Sequence, residues 1–579
     1  MADSVIQPVL ANTFREDAGH ESQAVCSLFR PPVRIREDHM GADFAIDENL
    51  LEPPCYIKQL APEILGMTFL HVMDPMASPH EELLVWPSAT LKSTRALKIL
   101  RRVCRSWREV CLSMPAACDT IHDCRGSNVE LSILRATIDR RVIPLNIFIN
   151  RHLPSPAMIE LFQSYGSRVR NLYLCFPTDR SFAFRVTPRP ARGERGVEPL
   201  EPQHVKLSTN FQAPALEHLT VDSSSTDSRP FYPTLFQGHA PQLKTLALRS
   251  SMWLPANRFP SLTHLYVSLS SKRTNHSLLP RGSAWTVPKL LSFMSGCPSL
   301  EDVSLWNVYT QLSAATDAPA VDLPHLRRLA IGRSHPASAT WLLQHIVSPA
   351  DSVAVRILDC FSSTSQLKEL LSALPLLDSR TAHLRKTPVG LAVSLVGVSS
   401  ATSVEIALPA DSHPPELGTG HGPPPTVWAS WPGLSGVREL YLVGMDSLLE
   451  EPFAGVSALL EQLPELATLV YCGTALPRAF LEYLSPTSRG LPCPGLETVH
   501  LCVPGVIAVD VKKLNGLSDA RARTGHGLRR IIVETDVLIS DGVRACEGVV
   551  ELRGQGTPSS SVSWPAVCTK TTHGFWPPW

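Results

Sequence analysis

One short phrase recurs along most of this chain and narrows what the chain can fold into. It reads proline, any residue, leucine, two variable residues, leucine, one variable residue, and a final apolar residue. Copies run from Pro214 through Leu216 and Leu219 to Val221, from Pro241 through Leu243 and Leu246 to Leu248, and from Pro260 through Leu262 and Leu265 to Val267. Others run from Pro298 to Leu305, Pro324 to Ile331, Pro464 to Tyr471 and Pro494 to Leu501; Val169 to Leu174, Val437 to Leu442 and Leu528 to Val533 lack the proline. The last three positions alternate apolar, variable, apolar, which is the period of a strand buried on one face. The leading proline marks an incoming turn. A unit this short cannot bury its apolar side alone, so neighbouring copies have to stack.

The first leucines, at 216, 243, 262, 300 and 326 and again at 466 and 496, fall at intervals whose mean matches the ~20 to 29 residues of leucine-rich repeats. Helical spacing at Lys289 to Ser295, Trp341 to Val347, Leu367 to Leu374 and Pro452 to Leu463 supplies an outer layer. The expected architecture over residues 130–550 is therefore α/β: an irregular leucine-rich-repeat solenoid with parallel strands on its concave face and helices and loops outside. Between Ile331 and Val437 no clear copy stands, and Val353 to Leu358 and Val404 to Leu408 are read as degenerate strands. Arg189 to Pro202 and Pro409 to Pro425, rich in proline, glycine and charge, read as surface loops.

Upstream the pattern is helical. Ile57, Leu60, Ile64, Leu65 and Leu70 recur at three- and four-residue spacing, with Pro62 suited to a first turn and Glu63 to the N-terminal dipole. After a proline-broken stretch, Thr94 to Leu112 resumes the period through Leu97, Leu100, Val103, Cys104, Trp107, Val110 and Cys111, and Met114-Pro115 ends it. Residues 1–50 show no sustained period and read as a flexible leader. Residues 554–579, with Ser559-Ser560-Ser561 and a terminal Trp576-Pro577-Pro578-Trp579, read as a poorly ordered tail.

Bulk properties exclude more than they suggest. Of 579 residues 44% are hydrophobic and 18% charged, enough apolar content to fold over most of the length. The 53 basic and 53 acidic residues cancel, so charge points to neither nucleic acid nor an anionic membrane as partner. Asp3 sits where a signal peptide carries positive charge, and secretion is not expected. Val389 to Val404, the best membrane candidate, is interrupted by Ser394, Ser399, Ser400, Thr402 and Ser403 and reads as buried strand and turn. Fourteen cysteines without a C-x-x-C pair fit reduced thiols in an intracellular protein, cytoplasmic or nuclear, and leave the Asn275 sequon incidental.

Ile57, Leu60-Ala61-Pro62-Glu63-Ile64-Leu65 and Phe69, then Val103-Cys104-Arg105-Ser106-Trp107, then Met114-Pro115 and Ile121, together resemble the F-box motif. Large fungal F-box families resemble this chain in the same order: a stretched F-box, a Met-Pro, then loose leucine-rich repeats. Departures are Ala61, which displaces the proline by one place, and an insertion at about residues 71–93 of a helical domain spanning 51–125. The resemblance implies a non-enzymatic substrate receptor: the F-box docks on the Skp-type adaptor of a cullin-RING (SCF-type) ubiquitin ligase through Leu60, Pro62, Ile64, Leu65, Val103 and Trp107, and the repeats hold a protein target. The alternative is a leucine-rich-repeat scaffold whose N-terminal helices cap the first repeat.

No cofactor or catalytic motif is expected. The chain has no Gly-x-Ser-x-Gly, no His-Glu-x-x-His and no P-loop lysine, and Gly418-Thr-Gly420-His-Gly422 runs into Pro423 where a phosphate-binding helix would start. Cys104 and Cys111 read as packing residues of one helix face, with no histidine to complete a metal site. Arg327-Arg328 and Arg529-Arg530 read as solvated pairs, and the twenty histidines as scattered.

Overall fold

A computed structural model describes residues 60–73, 96–114 save 98, 120–124, most of 144–554, and 562–569. The other intervals, among them 1–59, 74–95, 125–143, 177–202, 270–285, 309–319, 408–430 and 570–579, lie outside the described residues. So do the leader, most of the insertion, both charged loops, the Asn275 sequon, the Gly418 segment and the terminal tryptophans. The chain divides into Met1–Ala61, of which only Leu60 and Ala61 are described, and Pro62–Trp579.

The second unit is mixed α/β. Two helices open it, α1 (Pro62–Met73) and α2 (Arg105–Ser113). Seven strands follow: β1 (Thr120–Cys124), β2 (Leu145–Asn150), β3 (Val169–Phe176), β4 (His218–Ser223), β5 (Thr245–Arg249), β6 (His264–Ser268) and β7 (Asp302–Trp306). Next come β8 (Val321–Asp322), β9 (Arg328–Gly332), β10 (Ile346–Val347), β11 (Ala354–Cys360), β12 (Thr381–Lys386), β13 (Gly390–Val396) and β14 (Ala401–Ala407). The last are β15 (Glu439–Val443), β16 (Thr468–Cys472), β17 (Thr498–Cys502), β18 (Arg530–Thr535), β19 (Ala545–Glu547) and β20 (Val550–Gly554). Interleaved helices are α3 (Pro156–Tyr165), α4 (Gln203–Thr209), α5 (Val287–Ser295), α6 (Pro336–His345), α7 (Thr364–Ala373), α8 (Ala454–Glu461), α9 (Arg478–Leu484) and α10 (Val511–Ala522), with α11 (Ala566–Thr569) after the sheet.

All of these strands except the small β8–β10 pair join one sheet. From β1 through β7 to β9 and β11 each strand lies parallel beside its predecessor, and β15 to β18 and β20 do the same at the other end. Parallel neighbours added in one direction by right-handed crossovers place their connections on a single face. That face carries the core: Leu219 and Val221, Leu246 and Leu248, Leu265 and Val267, Leu469 and Tyr471, and Val499 and Leu501 are buried with Leu161, Leu290, Met294, Leu342 and Leu459 from the helices. Every strand read from the recurrent phrase is present, and each leading leucine, Leu216, Leu243, Leu262, Leu300, Leu326, Leu466 and Leu496, is buried. Each contributes about 1.5–3 kcal/mol by leaving water.

The exits from the strands recur as well. Ser250, Asn307, Arg333 and Gly444, each directly after a strand, take a left-handed backbone (φ 52°, 56°, 49° and 64°). Amides at this corner donate across to the end of the next strand: Asn307 to Gly332 O at 2.9 Å, Arg333 to Leu358 O at 3.0 Å, Gly444 to Cys472 O at 2.8 Å. The left-handed turn costs about 1 kcal/mol in a non-glycine residue, and the hydrogen bond offsets it.

In the interval without a clear copy the chain departs from monotonic order. After β11, α7 carries it past two sheet positions to β12, which pairs parallel to β15; β13 then returns antiparallel beside β12, and β14 antiparallel beside β13, closing the gap against β11. The two degenerate strands at 353–358 and 404–408 are β11 and β14. The apolar run from Val389 is β13, a turn and β14, with every residue of β13 buried. It is a strand covered on both faces, which explains an unbroken apolar run. No described helix is long and apolar enough to cross a membrane.

Three helical expectations are corrected. The helix expected over Thr94 to Leu112 is broken at Cys104, whose extended backbone (φ −157°, ψ 175°) ends the helical residues 99–103 and caps α2, its sulfur accepting from Trp107 N at 3.4 Å. Cys104 is exposed and Cys111 buried, so they do not share one continuous helix face. The sheet begins at Thr120, and Ile121, grouped above with the helical motif, is a core residue of β1.

Candidate docking surface and the second sheet face

Helix α1 begins at Pro62, whose missing N–H costs nothing at a first helical position, with Glu63 in the first turn. Leu65 and Phe69, one turn apart, face α2 and are buried with Val110, Cys111 and Met114, while Leu97, Leu100 and Trp107 pack around them. The Phe69 and Trp107 rings lie 4.9 Å apart. This cluster is separate from the core of the sheet.

Much of the rest of α1 is apolar too. Ile64 is 45% exposed, Met67 58%, Leu70 40% and Val72 50%, and Val103, on the helical residues before Cys104, is 55% exposed. Glu63, Thr68 and His71 share the exposed surface of α1 with these apolar residues, and among the described residues α1 is buried only on the side facing α2. In contrast α2 turns Arg105, Ser106, Arg108 and Glu109 outward, with an Arg105–Glu109 ion pair at 3.0 Å. Of the six residues expected to contact an adaptor, Pro62, Ile64 and Val103 are exposed, Leu65 is buried and Trp107 half-buried in the helix pair. Leu60 is exposed and belongs to the preceding unit.

The sheet face opposite the core carries the variable residues of the recurrent phrase. Register aligns them in rows across the strands, such as Tyr173, Thr220, Ala247, Tyr266, Ser304 and Ala330. Several charges on this face are matched between neighbouring strands, whereas buried Arg356 meets the like charge of Arg385. Asp302 accepts a bidentate pair from Arg328 and lies 2.9 Å from His264 Nε2. Burial raises the Asp302 carboxyl, but His264 and Arg328 outweigh it and hold the group below the usual carboxylate range. Arg328, expected to be solvated, is 6% exposed. Arg249 reaches Asp222 at 3.6 Å; burial works against its charge, and Asp222 with Tyr173 and Tyr266 holds it above its ordinary value.

Midway along the sheet this face is covered. Ala330, Ala354, Ala401 and Val396 form a patch of small and apolar side chains, and Cys568 is buried on it with Val562, Trp564 and Val567 alongside. Trp564 meets the His383 ring edge-on, centroids 5.9 Å apart. Residues 562–569, inside the stretch read as a poorly ordered tail, thus lie against the sheet.

Sequence reasoning passed over His500, Cys502 and Glu534, whose side chains meet on this face at β17 and β18. The signal was present: Cys472 and Cys502 end successive units at the same position, which only the repeat register reveals. No family model and no curated protein matches the chain.

Proposed function

We propose that the chain is a substrate receptor of a cullin-RING ubiquitin ligase, in which the apolar side of α1, with Val103, docks on a Skp-type adaptor and the sheet, as part of a leucine-rich-repeat solenoid, holds a protein target. The observation that carries this reading is the half-exposure of Ile64, Met67, Leu70, Val72 and Val103 on a helical module with its own small core. Covering the exposed half of each would contribute roughly 1 kcal/mol, which five residues turn into a usable interface. The separate core favours a docking module over a cap, because a cap would share its buried side chains with the first repeat.

The receptor makes and breaks no bond in this reading. It raises the local concentration of the target near the ubiquitin-charged enzyme to about the millimolar range.

Calorimetry of the full chain with a purified Skp-type adaptor, under reducing conditions, tests the proposal. Binding is expected, and Ile64→Ser with Val103→Ser should weaken it at least about tenfold, equal to about 1.4 kcal/mol. No binding by the wild-type chain, or undiminished binding by the double variant, would sink it.

A further inference from the structure

Two successive strands, β16 and β17, end on cysteine. Register sets Cys472 beside Cys502, and Cys502 beside Glu534 on β18, so the three occupy one row of the sheet face opposite the main core. His500, two residues before Cys502 on the same strand, points to the same side. Cys502 Sγ lies 3.6 Å from His500 Nε2 and 3.6 Å from Glu534 Oε2, and His500 Nε2 lies 3.1 Å from Glu534 Oε1. His500, Cys502 and Glu534 are all buried, and half-buried Cys472 is the register neighbour of Cys502.

Zinc takes sulfur at about 2.3 Å, imidazole nitrogen at about 2.05 Å and carboxylate oxygen at about 2.1 Å, in a tetrahedron. Those lengths fix the ligand-to-ligand edges at about 3.6 Å for S to N, about 3.6 Å for S to O and about 3.4 Å for N to O. The S-to-N and S-to-O distances found here match, the latter to Oε2 of Glu534, whereas the 3.1 Å contact of His500 is to Oε1 of the same carboxylate. One ligand atom from each of the three residues lies within 4.8 Å of the others, and an entering ion would part the His500–Glu534 pair and turn the carboxylate toward itself. We propose that Cys502, His500 and Glu534 form a binding site for a zinc-like divalent cation, which Cys472, beside Cys502 on the neighbouring strand, turns in to complete as fourth ligand, tying β16, β17 and β18 together.

The donor set selects the ion. Two sulfurs and an imidazole suit a borderline-soft cation, whereas magnesium and calcium take six or more oxygens. Two thiolates and a carboxylate bring three negative charges to a divalent ion, and Arg553, whose Nη1 lies 3.9 Å from Glu534 Oε1, balances the excess. Cys502, His500 and Glu534 also contact one another without an ion, and the experiment separates the two states.

Cobalt(II) added to the reduced, chelator-treated full chain should bind at one equivalent, with tetrahedral d–d bands and a thiolate-to-cobalt charge-transfer band that zinc abolishes. Cys502→Ala and His500→Ala should each remove these bands while far-ultraviolet circular dichroism is kept. In the wild-type chain zinc should slow alkylation of Cys472 and Cys502, mapped by peptide mass, and leave the other cysteines unchanged. Absence of the charge-transfer band in the wild type, its survival in Cys502→Ala, or equal alkylation of Cys472 and Cys502 with and without zinc overturns the site. The alkylation arm needs no variant, so it decides the matter even where a substitution unfolds the chain.

Discussion

Phe69 and Trp107 hold α1 to α2, their rings 4.9 Å apart and inclined by 57°. Trp107 is therefore a residue of the module's own core, while Ile64 and Val103 on its surface remain for a partner. The two roles separate experimentally. Trp107→Ala is expected to cost the helix pair about 2 kcal/mol, less than a fully buried tryptophan, and to speed amide exchange across 62–73 and 105–113 while leaving the sheet unchanged. Ile64→Ser should leave that exchange as it is. Unchanged exchange in Trp107→Ala would show that the ring pair does not join the helices.

Asp302 joins three strands, taking Arg328 from β9 and His264 from β6. Asp302→Asn leaves the Arg328 guanidinium buried without its counter-charge, a change expected to cost about 3–5 kcal/mol. The carboxyl is held below its ordinary range in the folded state, so its contribution is complete above about pH 5 and is lost as pH falls below the unfolded value of about 4. Urea midpoints measured from pH 7 down to pH 3 should show a steeper acid limb for the wild type than for the variant. Parallel curves would rule out this assignment.

His383 supplies a second pH dependence in a different window. Burial, with Arg385 adding to it, lowers its value from 6.5 to about 4. The unfolded chain takes the proton at about 6.5 and the folded chain only near 4, so the folded state is fully stabilised above about pH 6.5 and loses up to about 3 kcal/mol as pH falls toward 4. Because the imidazole faces Trp564, the loss should first loosen residues 562–569. Hydrogen exchange of that segment is expected to rise between pH 7.5 and pH 5 in the wild type and to stay flat in His383→Gln; equal profiles would refute the link.

Arg521 stands among backbone carbonyls. Its guanidinium donates to Leu484 O at 2.9 Å and Pro492 O at 3.1 Å through Nη1, and to Cys493 O at 2.7 Å through Nη2. Leu484 is the last residue of α9, whose final carbonyls have no partner inside the helix. Arg521→Met should cost at least about 3 kcal/mol by thermal unfolding, since three buried acceptors lose their donor. Arg521→Lys should recover less than half, because one ammonium cannot span the fork. Full recovery by lysine would mean that charge alone, and not the fork, is what the site needs.

Much of this fold is written locally. The recurrent phrase carries both a turn and a strand in eight residues, and stacking such units leaves no choice about which leucines are buried, so Leu216, Leu243 and Leu466 were legible one by one. The apolar periods through Leu65 and through Val110 and Cys111 were plain enough to give the two helices, but of the first period Leu60, Ile64 and Leu70 lie exposed, and Phe69, outside it, is buried. The break at Cys104 was not plain: the period continues through it, and a single extended residue that caps the next helix leaves no mark on apolar spacing.

What the sequence could not decide are the relations between distant units. The order β11, β14, β13, β12, β15 depends on where β12 settles after α7, which is decided by pairing with β15, a strand more than fifty residues further on. The seating of residues 562–569 depends on Ala330, Ala354 and Ala401 arriving side by side from three strands. The meeting of Cys472, His500, Cys502 and Glu534 depends on register, because side chains ~30 residues apart become neighbours only when parallel strands ~4.8 Å apart align without a slip. Local periodicity determines which face of each strand is buried; only the assembled sheet determines which side chains share a row on the face left over.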